Sequence, residues 1–364
     1  MAFGSRYLKA LVAALLAFAL VAGAAQGALP TLAAPQIFAP GIISGPANDG
    51  SPTFSRDGHL LLFTRSGSNW GIILESQRSG ARWSEPRIAA FSGEWPDSSP
   101  EFSPDGKYVV YVSIRPTPPA AHGVQPLKAS HRANLWRVNR VGTGWSTPVR
   151  LPNTVNFGPS IWKPSMAADG SIYFVSIDKK GGKRLFCARF KAGAFQMAQP
   201  LTFSDGSTGD VDPEVAPDES FMVFSSDGRV PGDAKDHLFI VLRSAGKWGT
   251  PAPLRYSGDR ANGSSTDDEP HLSPDLHTLY FSSDRSMPVH FPRSRAQAQQ
   301  DLERVEVWDN SNSNAWSVPL SPALLEGAKM SSARAGPRSA AGRCAGRIVE
   351  RAPGKSAHLR RLKA

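Results

Sequence analysis

Five times along the chain a proline is followed five residues later by an aspartate: Pro52/Asp57, Pro100/Asp105, Pro164/Asp169, Pro213/Asp218 and Pro270/Asp275. The prolines stand 48, 64, 49 and 57 residues apart, yet the offset to the aspartate never changes. A fixed offset inside a repeat of variable length means that one supersecondary unit was copied, which constrains fold more than activity. In the second copy Phe102 lies between polar Glu101 and Ser103, Pro104-Asp105-Gly106 turns the chain, and Tyr108 to Val112 run aromatic and β-branched. The turn aspartate bonds its own backbone and the glycine tolerates positive φ, so the segment reads as a β-hairpin. The other copies place Leu61/Phe63, Ile172/Phe174, Met222/Phe224 and Leu279/Phe281 at matching positions after the turn.

A third strand is expected at an apolar pair in each copy: Ile72-Ile73, Leu135-Trp136, Leu185-Phe186, Leu238-Phe239 and Val307-Trp308. A tryptophan-to-proline signal follows in four copies (Trp83 to Pro86, Trp145 to Pro148, Trp248 to Pro251, Trp316 to Pro319), with Phe195 and Pro200 in the third. A short fourth strand is expected after each. Four antiparallel strands repeated radially make an all-β fold, a β-propeller. Five blades are expected, and a sixth only if the C-terminal region builds one. The repeat proline is expected where an innermost strand begins, a place that tolerates a missing N–H. Residues Pro35 to Ile43 read as a fourth strand that precedes any first strand, so the N-terminal strand is expected to complete the last blade and close the ring.

The P-x-F-S-P-D-G run, with Ser225-Ser226-Asp227 and Ser282-Ser283-Asp284-Arg285 after second strands, resembles the WD-like β-propeller repeats of the TolB type. The resemblance covers roughly residues 35–322 and implies the fold. Propellers of this kind serve as partner-binding modules, as domains beside peptidases and occasionally as enzymes. Unlike in TolB, no separate N-terminal domain is expected before the propeller, which speaks against a role in the Tol–Pal envelope system.

Residues 1–29 carry Arg6 and Lys9, an apolar run from Ala10 to Ala25 and small residues up to Ala28, the layout of a cleavable secretory leader. The run is short and alanine-rich for a membrane span, and no other apolar run is long enough, so no transmembrane anchor is expected. The chain is therefore expected in the periplasm or outside the cell. The formal charge of +10 is concentrated at the ends. Residues 326–364 hold ten basic and two acidic residues and read as a disordered tail. Residues 30–325, the propeller, hold 29 of each sign, so no nucleic-acid partner is expected. Two cysteines make no disulfide framework, and Cys187 reads as a small core residue.

The repeat register singles out a set of acids. Three residues before the proline stand Asp49, Asp97, Asp210 and Asp267, with Ile161 breaking the series. Just after it stand Glu101, Glu214 and His271, and Asp212, Asp268 and Glu269 lie in the same loops. Rotational repetition is expected to gather these groups at the mouth of the central channel. Crowded like charges raise one another's pKa unless a cation joins them. The ring then calls for a metal ion such as Ca²⁺, or a basic peptide segment. Alternatively, each aspartate bonds loop backbone and holds neighbouring blades. Asp227, Asp284 and Arg285, with Arg65, Arg115 and Asp178 in equivalent loops, either form ion pairs or touch a ligand. Two insertions fall in those loops: Arg115 to Arg132, and Ser286 to about Arg304, whose second half favours helix.

No G-x-S-x-G elbow, no H-E-x-x-H, no Cys/His cluster and no phosphate-binding glycine loop occurs. The leading expectation is an exported, monomeric, non-catalytic propeller that binds a protein or peptide partner of the cell envelope at the channel mouth. The rival is a secreted glycan hydrolase or lyase using paired channel carboxylates, with Trp95 and Trp162 as sugar platforms.

Overall fold

A computed structural model of the chain describes residues 29–116, 133–178, 180–257 and 265–326. Nearly all of the expected leader, most of the first insertion and the basic tail lie outside the described residues.

Each copy of the repeat forms one antiparallel sheet. The innermost strands are Asn48–Phe54, Asp97–Phe102, Ile161–Met166, Asp210–Val215 and Asp267–Leu272. Their hairpin partners are Leu60–Gly67, Tyr108–Ser113, Ile172–Ile177, Phe221–Ser226 and Thr278–Ser283. Third strands follow at Trp70–Ser79, Asn134–Val141, Lys183–Ala188, His237–Ser244 and Asn314–Pro319. Two-residue fourth strands complete the first four blades at Arg87–Ile88, Val149–Arg150, Gln199–Pro200 and Ala252–Pro253. The fold is a five-bladed β-propeller.

The fifth blade takes its outer strand from the other end of the chain. Gln36–Ile37 pairs antiparallel with Asn314–Pro319, Gln36 opposite Ser317 and Ile37 opposite Trp316. Phe38 then packs edge-on against Tyr280 at 5.0 Å and Trp83 at 6.1 Å, joining blades 5 and 1. The turn aspartates act as expected: Oδ1 of Asp57, Asp105, Asp169, Asp218 and Asp275 each accepts the N–H two residues on, at 2.8 to 3.1 Å.

The second strands are buried on both faces, which explains their unbroken apolar runs. In Ile172–Ile177, Ile172 and Phe174 pack towards blade 2 and Tyr173 and Val175 towards blade 4. Cys187 is buried in the latter cluster. Each such side chain contributes roughly 1.5–3 kcal/mol of transfer free energy.

Two expectations are corrected. Val307-Trp308 is not the third strand of blade 5: it ends a helix, Arg295–Val307, within the second insertion, and Trp316 lies in the true third strand. The insertion had displaced the apolar pair from its place in the repeat. The helix starts where a capping box allows it, Ser294 and Gln297 satisfying each other's backbone N–H. The repeat proline does not begin a strand either. It sits inside the innermost strand, at a register shift against the second strand in every blade. A bulge is where a strand tolerates proline.

Candidate functional site

The bulge shapes the centre of the propeller. The residue before each proline has a left-handed backbone: Ser51, Ser99, Lys163, Asp212 and Glu269, with φ between 47° and 51°. Such a conformation costs a non-glycine residue of order 1 kcal/mol or more, and here it recurs at the same register shift in all five blades. The residues flanking the prolines thus make two axial columns, Ser51/Ser99/Lys163/Asp212/Glu269 before and Thr53/Glu101/Ser165/Glu214/His271 after.

The second column links blade to blade. Thr53 Oγ1 accepts the Phe102 N–H at 3.3 Å, Ser165 Oγ accepts Val215 N–H at 2.9 Å, and Glu214 Oε1 accepts Leu272 N–H at 2.8 Å. Glu101 likewise takes the Met166 N–H. In each case an acceptor just after one proline satisfies the N–H two residues after the next. An innermost strand has a free edge towards the axis, and these side chains answer it.

His271, the last of the column, reaches across the axis instead. Its Nδ1 lies 3.2 Å from Glu101 Oε2 and 3.7 Å from Glu214 Oε2, and its Nε2 lies 2.5 Å from Lys163 Nζ. Lys163 also donates to the Pro270 carbonyl at 3.4 Å. Lysine can only donate, so Nε2 accepts and Nδ1 carries the proton towards Glu101. All four side chains are buried. Burial, then the charge of Glu214, pushes Glu101 far above the carboxylate range, against the pull of Lys163. Burial raises Glu214 to about 7. Burial and the neighbouring Lys163 charge hold His271 well below its ordinary value, so it is neutral.

Nearer the start of the innermost strands, blades 4 and 5 bring Asp212, Asp268 and Glu269 together, with Asp236 close by. Asp212 Oδ2 accepts the Glu269 N–H at 3.3 Å, and Glu269 Oε2 accepts from Ser282 at 2.9 Å. Burial and the Glu269 charge raise Asp212 to about 7, and burial with Glu269 and Asp212 raises Asp268 strongly. Asp268 Oδ1 and Asp236 Oδ1 are buried without a hydrogen-bond partner among the described residues.

The four aspartates three residues before the prolines stand apart from this cluster. Each is clasped by an arginine of its own blade: Asp49–Arg65 at 2.6 Å, Asp97–Arg115 at 3.1 Å, Asp210–Arg229 at 2.7 Å and Asp267–Arg285 at 2.6 Å. Three of these arginines also donate to the linker arriving from the preceding blade, at the Ile43, Phe91 and Phe203 carbonyls. Each guanidinium lies 5.3 to 5.7 Å from the ring of Phe63, Tyr111, Phe224 or Phe281. These clamps hold blades and linkers together. Blade 3 has lost both halves: Ile161 is buried and Asp178 instead caps its own loop. Asp227 pairs with Lys183 of blade 3 at 3.3 Å, and Asp284 accepts the Thr266 N–H at 2.7 Å. Sequence reading missed Lys163, Arg229 and Asp236. Lys163 was detectable as the one base in its axial column. Trp162 packs in the core between blades, whereas Trp95 is exposed.

Glu101, Glu214 and His271 offer ligand atoms within 4.8 Å of one another, a spacing that would suit a metal. The donor set does not fit one well. His271 Nδ1 bears the proton while Lys163 holds Nε2, leaving two carboxylates, far fewer than the six to eight oxygens that Ca²⁺ takes.

No protein-family model and no curated protein sequence matches the chain. Solved structures resemble it in fold. A TolB-like protein from Agrobacterium tumefaciens is 16% identical over 76% of this chain and 91% of its own, with a TM-score of 0.44. TolB from Acinetobacter baumannii is 14% identical over 76% of this chain and 55% of its own, at 0.42. A thermostable family-43 glycoside hydrolase is 12% identical over 75% and 88%, at 0.45. A propeller architecture by itself assigns no activity.

Proposed function

We propose that this chain is an exported, non-catalytic β-propeller that receives a basic segment of a protein partner at the end of its axial channel where the innermost strands begin. The observation that carries this reading is the cluster of Asp212, Asp268, Glu269 and Asp236. Two of its buried oxygens have no hydrogen-bond partner among the described residues, and burial, reinforced by the neighbouring acids, pushes Asp212 and Asp268 above the usual carboxylate range. An incoming ammonium or guanidinium would relieve both conditions. The leader expected over residues 1–29 supports export, and among the described residues no helix is long and apolar enough to cross a membrane.

Fluorescence anisotropy with a labelled Lys/Arg-rich peptide, and with an Asp/Glu-rich control, tests the reading. The basic peptide alone should bind, more weakly as salt rises, and Asp212→Asn with Asp268→Asn should weaken it roughly tenfold or more. Binding that ignores the two substitutions, or no binding, defeats the proposal.

A hydrolase reading has one observation on its side, the two buried carboxyls of Glu101 and Glu214 gathered around His271, with burial raising Glu214 to about 7. Both carboxylates, however, are engaged by backbone N–H groups of the next blade. Turnover of a polysaccharide that disappears in Glu214→Gln would transfer the protein to that class.

A further inference from the structure

The opposite end of the channel, where the hairpin turns converge, holds a cavity of about 440 Å³. That lies within the range of about 300–1,000 Å³ usual for small-ligand sites. Glu101, Glu214 and Thr53 line it from the buried axial column, and Phe54, Phe102, Met166, Val215 and Leu272 add apolar wall. Hairpin-turn residues, among them Pro104, Pro217 and Pro274, complete the lining. We propose that this cavity binds a primary ammonium group on an unbranched apolar stem, the chemistry of a lysine side chain or an alkyl diamine, with the ammonium held by Glu101 and Glu214.

Three observations converge on that ligand. Glu214 is only 4% exposed, and its Oε2 has no hydrogen-bond partner among the described residues. A buried, unanswered carboxylate oxygen at the end of a cavity is costly until a donor reaches it. With a single lysine, Lys163, and a neutral His271 beside them, Glu101 and Glu214 are pushed towards their protonated forms, which a second cation would reverse. Finally, the walls suit an alkyl stem, while the protonated Nδ1 of His271 disfavours a metal. Lys163 reaches the same group of side chains from blade 3, its ammonium on His271 Nε2 and the Pro270 carbonyl and its charge already favouring the ionised forms of Glu101 and Glu214.

This site is distinct from the acidic cluster at the other end of the channel and does not depend on it. Binding should displace protons from the Glu101/Glu214 pair, because the incoming charge favours their ionised forms. Calorimetric titration of the full chain with cadaverine, with n-pentanol as the uncharged control, provides the test. Single-site cadaverine binding is expected, with proton release visible as a dependence of the heat on the buffer's ionisation enthalpy. Binding should strengthen roughly tenfold or more between about pH 6 and pH 8, as the pair ionises. Glu214→Gln should abolish it. Ala168→Trp, which places a large side chain at the exposed rim without touching the buried acids, should also abolish it in a protein that remains folded. The proposal is overturned by no binding, by equal binding of n-pentanol, by cadaverine binding that survives both variants, or by Ca²⁺ or Zn²⁺ displacing cadaverine from the site.

Discussion

Lys163 Nζ lies 2.5 Å from His271 Nε2, across the axis from blade 3 to blade 5 and 108 residues along the chain. The contact makes a lysine from the one blade without an Asp–Arg clamp the internal counter-ion of Glu101 and Glu214. Removing one partner of a buried ion cluster leaves uncompensated charge, typically at a cost of about 3–5 kcal/mol. Lys163→Met should therefore destabilise the protein by that order in urea titrations near pH 8. The loss should shrink near about pH 5, where Glu101 and Glu214 take up protons and need the cation less. A loss that is the same at both pH values would show that Lys163 acts through packing alone.

The clamps make a separate prediction. Asp97 is fully buried, and its partner Arg115 lies beneath the Phe91 carbonyl and over Tyr111. Arg115→Met should cost about 3–5 kcal/mol, and a double-mutant cycle with Asp97→Asn should give a large coupling energy. Ile161→Asp, which installs half a clamp in the core of blade 3, should destabilise at least as much. Peptide binding should be unaffected in the folded fraction of either variant. Additive single substitutions in the cycle would remove the clamp from the account.

The clamps and the hub differ in how far the sequence reveals them. The hairpins, the aspartate turns and the N-terminal closing strand are local patterns, and Pro52 through Asp275 display them at fixed offsets. The clamp left a readable trace too, because blade 3 loses Asp and Arg together, at Ile161 and Asp178. The hub left a fainter one: the register after each proline marks Glu101, Glu214 and His271, but nothing local ties Lys163 to them. Lys163, Glu101, Glu214 and His271 come from four blades, and only the two glutamates share a residue type. What unites them is the bulge at each proline, a backbone feature set by tertiary pairing that composition does not encode. The third strand of blade 5 was misplaced for a related reason: the inserted helix carries its own apolar pair.

Proton linkage gives the stability curve a definite slope. Asp212 rises from 3.8 to about 7 and Glu214 from 4.5 to about 7 on folding, and Glu101 and Asp268 also rise. Between their ordinary and raised values, up to about 7 for Asp212 and Glu214, the folded protein binds protons that the unfolded chain has released, so these groups make stability fall as pH rises. His271, lowered on folding, works in the other direction up to its ordinary 6.5. The four carboxylates outnumber it, and the melting temperature should decline between about pH 5 and pH 8. Asp212→Asn removes one contributor and should flatten the decline. A steeper decline in that variant would contradict the assignment.

The closing strand sets the last expectation. Gln36 and Ile37 pair with the fifth blade, the Phe38 N–H adds one bond to the Ala315 carbonyl at 2.8 Å, and no covalent bond among the described residues seals that seam. Phe38 strengthens it by filling the space between Tyr280 of blade 5 and Phe54 and Trp83 of blade 1. The ring is half-buried, so Phe38→Ala should cost less than a core phenylalanine, about 2 kcal/mol. Its more telling effect should be local. Opening the seam frees the outer edge of the Asn314–Pro319 strand, so amide exchange should quicken first in blade 5 and the first hairpin of blade 1. Blade 3, farthest round the ring, should keep its protection until global unfolding. Uniform acceleration over all five blades would mean that the propeller opens as a single unit and that the seam is no weaker than the rest.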